Sequence, residues 1–131
     1  MRKQFIKTVS ASQTLQKSQS FNVGWSLLLL LSVASIANST YLAFFDSKWI
    51  DGHIAWLSAS IYAFVVFMTG YRRQEGWAWY TTWAFGIPFL IYGANHLDEP
   101  MLGPFYIGTS LIVALAQVLT WSAFHSLKYQ E

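Results

Sequence analysis

Four long runs without a charged residue alternate with short polar segments along the chain. Val23–Phe45, Ile54–Tyr71, Gly76–Asn95 and Met101–Phe124 contain no Asp, Glu, Lys or Arg. Between them lie the polar loop Asp46–His53, the charged turn Arg72–Glu75 and the polar loop His96–Pro100. At about 1.5 Å per helical residue, a run of this length approaches or exceeds the thickness of a hydrocarbon core of about 30 Å. Buried helices of a soluble bundle would carry charge on one face at the helical period, and these runs carry none. The pattern therefore predicts an all-α fold: a transmembrane bundle of four helices with up-down topology. Its spans are 23–45, 54–71, 76–95 and 101–124. A polar tail, 1–22, precedes them and a short tail, 125–131, follows.

Charge gives the expected orientation. Seven of the eight Lys and Arg fall on one side if both termini are cytoplasmic: Arg2, Lys3, Lys7, Lys17, Arg72, Arg73 and Lys128. Lys48 alone falls outside, which fits the positive-inside rule. Trp and Tyr agree, since they favour the two interfaces. Trp25, Tyr71, Trp77, Trp79, Tyr80, Trp121 and Tyr129 are expected at the inner interface. Tyr41, Trp49, Trp56, Tyr92 and Tyr106 are expected at the outer one. The expected location is thus a cell membrane, crossed by several spans. The basic, Ser-rich, acid-free tail 1–22 also has traits of an organelle transit peptide, but it is too long and polar a lead for a cleaved signal sequence.

Composition removes several functions. Charged residues make up 11% of the chain, well below the roughly 25% of soluble domains. There is no Cys, which excludes disulfides, thiol nucleophiles and Cys-based metal sites. The net charge of +2 is concentrated in the N-terminal tail, so nucleic acid is not an expected partner. No ionisable Asp, Glu, Lys or Arg lies within a run, which argues against an ion-coupled transporter.

Small and polar residues recur at helical spacing and predict the packing faces. They are Ser32, Ser35, Asn38 and Ser39 in the first run, and Ala55, Ala59 and Ala63 in the second. The third has Thr82, Gly86 and Gly93. The fourth has Gly103, Ser110 and Gln117 with Ala114 between. Pro88 predicts a kink that frees the Ala84 carbonyl, to be met by Thr81, Thr82 or a neighbouring helix.

Two sets of candidate site residues follow. Asn38, Asn95 and Gln117 are the most polar side chains in or beside the spans, and Tyr62 and Trp83 lie deeper than the other interfacial aromatics. These five are candidate ligand contacts, although inter-helix hydrogen bonding explains the amides as well. Asp51, His53, His96, Asp98 and Glu99 form the second set. A direct hairpin of the second and third helices would place both His at one height on the outer rim. There the group could bind a divalent metal or act in acid–base chemistry; no other cofactor is indicated.

The segment Arg72-Arg73-Gln74-Glu75-Gly76-Trp77-Ala78-Trp79-Tyr80 resembles an R-R-x-E-x-W-A-W-Y run of small bacterial four-span integral membrane proteins, where it opens the third helix. The resemblance implies the four-span fold and no particular activity. The expected function is binding of a partner subunit or a small lipophilic ligand. The alternative is a small membrane enzyme, or metal-dependent oxidoreductase subunit, using the outer His/carboxylate group. Membrane lipids, a homo-oligomer or a larger membrane complex are the expected partners.

Overall fold

A computed structural model describes the backbone of residues 2–45, 48 and 50–125, and the side chains of 18–45, 48 and 50–125. The basic side chains of Arg2, Lys3, Lys7 and Lys17, the loop residues Asp46 and Trp49, and Lys128 and Tyr129 lie outside these side-chain ranges.

The fold is a bundle of four helices, with no strand among the described residues. They are α1 (Arg2–Phe45), α2 (Ile50–Val66), α3 (Gly76–Asn95) and α4 (Leu102–His125). A π-helical turn, Phe67–Tyr71, continues α2. Three segments are long and apolar enough to cross a membrane: Ser18–Phe45, Ile50–Tyr71 and Leu102–His125. The third charge-free run, α3, is not among them. Much of its bulk is Trp, Tyr and Thr, whose polar atoms reduce the gain on transfer to lipid.

The ends of α3 and α4 fall within a residue of those expected. Two ends differ. The backbone of α1 is helical through the polar lead, from Arg2, so the lead is not a separate coil. Helix α2 begins at Ile50, which places Asp51 and His53 in its first turns rather than in a loop. A carboxylate there faces the positive end of the helix dipole, a sufficient role for Asp51.

The surface is apolar and the interior partly polar. Leu30, Phe44, Ile91, Phe105, Leu111 and Val118 are all more than half exposed. Ser32, Ser60, Thr82, Thr109, Ser110, Gln117 and Thr120 are buried. This inverts the arrangement of a water-soluble bundle and matches a lipid solvent, in which polar groups pair inside.

Helix α1 packs along both α2 and α4, and α3 packs along α4. Helices α2 and α3, although joined by a four-residue turn, approach closely at few positions. The direct α2–α3 hairpin expected from the sequence is therefore replaced by a splayed pair. Aromatic rings fill the space: Trp56 stacks on Phe89 at 5.0 Å, and Phe85 lies 6.1 Å from Tyr62 and 6.3 Å from Phe67. Rings of this size hold two backbones beyond the separation that small residues allow.

Close approach occurs instead between α3 and α4, and between α1 and α4. A methyl group on Gly93 would sit 2.9 Å from the Ile107 nitrogen and 3.0 Å from the Gly103 carbonyl oxygen. One on Gly24 would sit 2.9 Å from the Ala116 carbonyl oxygen. Thr82, Gly86 and Gly93 are all buried, as are Gly103, Ser110 and Gln117, so the two expected stripes face each other. The α2 stripe is rotated: Ala63 is buried, Ala59 is half-buried and Ala55 is exposed, and Ser60 and Val66 complete the buried face.

Helix α3 continues through Pro88. The Thr81 and Thr82 hydroxyls donate to the Trp77 and Ala78 carbonyls, not to the carbonyl of Ala84. Ser110 of α4 donates to the Gly86 carbonyl at 3.0 Å, tying the two helices together close to the proline.

The turn after the π segment has the hydrogen bonds of a Schellman motif. The Glu75 N–H reaches the Gly70 carbonyl and the Gln74 N–H reaches the Tyr71 carbonyl. Gln74 occupies the left-handed position with φ 58°, where glycine is the usual residue.

Candidate functional site

Two interior features stand out, a polar clamp and a cavity. The clamp joins α4 to the π turn and to α3. Tyr71, fully buried, donates its hydroxyl proton to Gln117 Oε1 at 3.0 Å and shares a hydrogen bond with Thr120 Oγ1. Gln117 Nε2 donates to the Trp79 carbonyl at 2.8 Å. The π turn is what brings Tyr71 inward, because a five-residue turn rotates the following side chains relative to an α-helix. It also displaces carbonyls from the regular ladder. The Phe67 carbonyl accepts the Trp25 indole N–H from α1 at 2.8 Å.

The sequence pattern puts Tyr71 and Trp79 at the inner interface. Both are instead core residues, Tyr71 with no exposed surface and Trp79 with 6%. Trp79 is surrounded by the rings of Trp83, Trp121 and His125. Its indole nitrogen is buried without a hydrogen-bond partner among the described residues. Arg72 lies over the Trp25 ring at 5.5 Å, and the Glu75 carboxylate accepts the Trp77 indole N–H.

The cavity, of about 470 Å³, opens between α1 and α4 in the half of the bundle that holds the α3–α4 loop. Helix α1 contributes Ala34, Ser35, Asn38 and Ser39, and α4 contributes Phe105, Gly108, Thr109 and Ile112. Trp56 of α2, Phe89 of α3 and Tyr106 of α4 also line it. Phe89 lies nearly parallel to both neighbours, 17° from Trp56 and 18° from Tyr106, while Trp56 and Tyr106 are tilted by 32° to each other. A deeper lobe of about 40 Å³ shares Leu31, Ser35, Trp56, Phe89 and Thr109 with it and continues to Ala63, Phe67 and Val113. Gly108 opens onto the main cavity, since a methyl group there would meet nothing within 4 Å.

Of the expected ligand contacts, Asn38 lines the cavity. Gln117 belongs to the clamp, where both ends of its amide are engaged. Trp83 lies with Gln117, Trp79, Val118 and Trp121 along a separate groove on the α3–α4 face. Tyr62 is exposed and packs against Phe85, and Asn95 donates to the Ile91 carbonyl of its own helix. Trp83 and Gln117 thus share one groove, and Asn38 lines the other cavity.

No three of Asp51, His53, His96, Asp98 and Glu99 gather into a group that could hold a metal ion. His96 stacks on Tyr92 at 4.1 Å, and its Nδ1 lies 2.9 Å from the Tyr92 carbonyl oxygen. The expectation that the two His meet rests on direct α2–α3 packing, and those two helices approach closely at few positions.

The wall formed by Trp56, Phe89 and Tyr106 is not legible in the sequence. Trp56 and Tyr106 have the signature of interfacial anchors, because a belt residue and a cavity residue give the same composition signal. No family model, curated protein or solved structure matches the chain.

Proposed function

We propose that this is a four-span integral membrane protein, with both termini cytoplasmic, that binds a small lipophilic ligand in the cleft between α1 and α4. The observation that carries the reading is the cavity of about 470 Å³, within the size range of small-molecule sites and set between two apolar membrane-length helices. Its mouth is ringed by exposed Ala34, Asn38, Phe105 and Ile112, so a ligand enters sideways from the bilayer.

The fourth span is supported by the outward face of α3, where Ile87, Leu90 and Ile91 are exposed. Its partner α4 is membrane-length, and Gly93 lies against it. Kinship with small bacterial four-span proteins, and with it an inner-membrane location, rests on the Arg72–Tyr80 run and belongs to this proposal.

The test uses Gly108→Phe, which fills the cavity from a position with open space above it. Wild-type and variant protein are purified in mild detergent, and the molecules that co-purify are extracted and quantified by mass spectrometry. A lipophilic species near one per chain in the wild type, lost in the folded variant, is the expected result. Identical extracts from two folded proteins would overturn the reading.

A further inference from the structure

We propose that the ligand of the α1–α4 cavity is an uncharged lipid whose head is a flat ring bearing carbonyl or hydroxyl oxygens, carried on a single hydrocarbon tail. This rests on the lipophilic-ligand reading above and narrows its chemistry. Three observations carry it.

First, none of the lining residues of the main cavity is Asp, Glu, Lys, Arg or His. A charged head would lose its hydration with no partner of opposite sign, which a low-dielectric site disfavours strongly. The head is neutral.

Second, the wall is aromatic and ordered. Trp56, Phe89 and Tyr106 come from three helices, with ring centroids 5.0 Å apart for Trp56–Phe89 and 5.7 Å for Phe89–Tyr106. Offset stacking favours a further flat ring against such an array over a flexible chain.

Third, α1 brings two unused polar groups to the same cavity. Ser35 lies 2.7 Å from the Ser60 hydroxyl, and Thr109 donates to the Phe105 carbonyl. Asn38 and Ser39 have no side-chain hydrogen-bond partner among the described residues. Ser39 is only 5% exposed, yet its oxygen is not sealed from the cavity it lines. A ligand oxygen in the cavity would give these two groups the partner they lack. The tail leaves through the mouth between Ala34 and Ile112 into the surrounding lipid.

The experiment titrates full-length protein in lipid nanodiscs with three probes that share a decyl tail. Decyl-benzoquinone has ring and oxygens, decylbenzene has the ring alone, and 1-decanol has an oxygen alone. Decyl-benzoquinone is expected to bind at least about tenfold more tightly than either of the others. Asn38→Leu and Ser39→Ala, each checked for native helicity, are expected to remove that advantage and to leave decylbenzene binding unchanged. If all three probes bind alike and all are displaced by Gly108→Phe, the cavity is a lipophilic site but the ring-and-oxygen class is wrong. That class is equally wrong if the α1 variants bind decyl-benzoquinone as the wild type does. If no probe binds, and Gly108→Phe changes nothing, both readings fall together.

Discussion

Replacing Tyr71 with Phe removes one oxygen from the most enclosed polar cluster in the bundle and changes little else. The ring keeps its contacts with Phe124 at 4.9 Å and Phe21 at 6.2 Å, so packing volume is preserved. What is lost is the hydroxyl that serves Gln117 Oε1 and Thr120 Oγ1. A net hydrogen bond is worth about 0.5–1.5 kcal/mol, and a buried acceptor left without a donor costs about 1–3 kcal/mol. Inter-helix hydrogen bonds in lipid average about 0.6 kcal/mol, with a maximum near 1.7, because the unfolded chain also finds partners there. Thr120 retains the Ala116 carbonyl as an alternative, whereas Gln117 Oε1 retains nothing that the structure provides. The expected loss is therefore about 1–2 kcal/mol, at the upper end of the membrane range. Gln117→Leu in the Tyr71→Phe background removes the orphaned amide. The double variant should accordingly lose less than the sum of the two single ones, by about 0.6–1.7 kcal/mol. The assay is reversible unfolding in mixed micelles with increasing SDS, followed by far-ultraviolet ellipticity. A Tyr71→Phe variant within about 0.3 kcal/mol of wild type, or strictly additive single variants, would falsify the clamp.

Three further outcomes are expected. Gly93→Ala should destabilise the bundle by about 1–3 kcal/mol, since the added methyl meets backbone atoms on α4, while Gly108→Ala should be neutral; parallel thermal melts in detergent compare them. Gln74→Gly should stabilise the protein by about 0.5–1 kcal/mol by relieving the left-handed position of the Schellman turn, read in the same SDS titration, and a loss of stability would contradict the assigned geometry. A reporter fused after Glu131 should be active only in the cytoplasm, and reporters inserted near Lys48 and Glu99 only outside; a C-terminus on the far side would overturn the proposed orientation.

The number of helices, most of their ends and the small-residue faces of α3 and α4 were legible in the sequence. A charge-free run of membrane length has one stable form in lipid, because each backbone group must bond within its own helix. Charged residues mark the ends for the same reason. Gly86, Gly93, Gly103 and Ser110 announced the packing faces of α3 and α4, though not that these faces meet each other, because only small side chains let backbones approach so closely. The basic lead was legible as polar but not as helical, since its composition suits a coil as well.

Tertiary structure alone decided which helices pair, and so where the cavity lies. In lipid the buried and exposed faces of a helix are both apolar, so hydropathy does not say which way Trp56, Tyr71 or Phe89 points. Helices α2 and α3 are neighbours in sequence, yet the rings of Trp56, Phe67, Phe85 and Phe89 keep their backbones apart, while α1 and α4, far apart in the chain, meet at Gly24. The π turn has no composition signal, and the Phe67 carbonyl within it is met by the Trp25 indole from another helix. Local hydropathy fixes which segments become helices, whereas the fit of side chains distant in sequence fixes the partners, and the cavity is the space that this fit leaves unfilled.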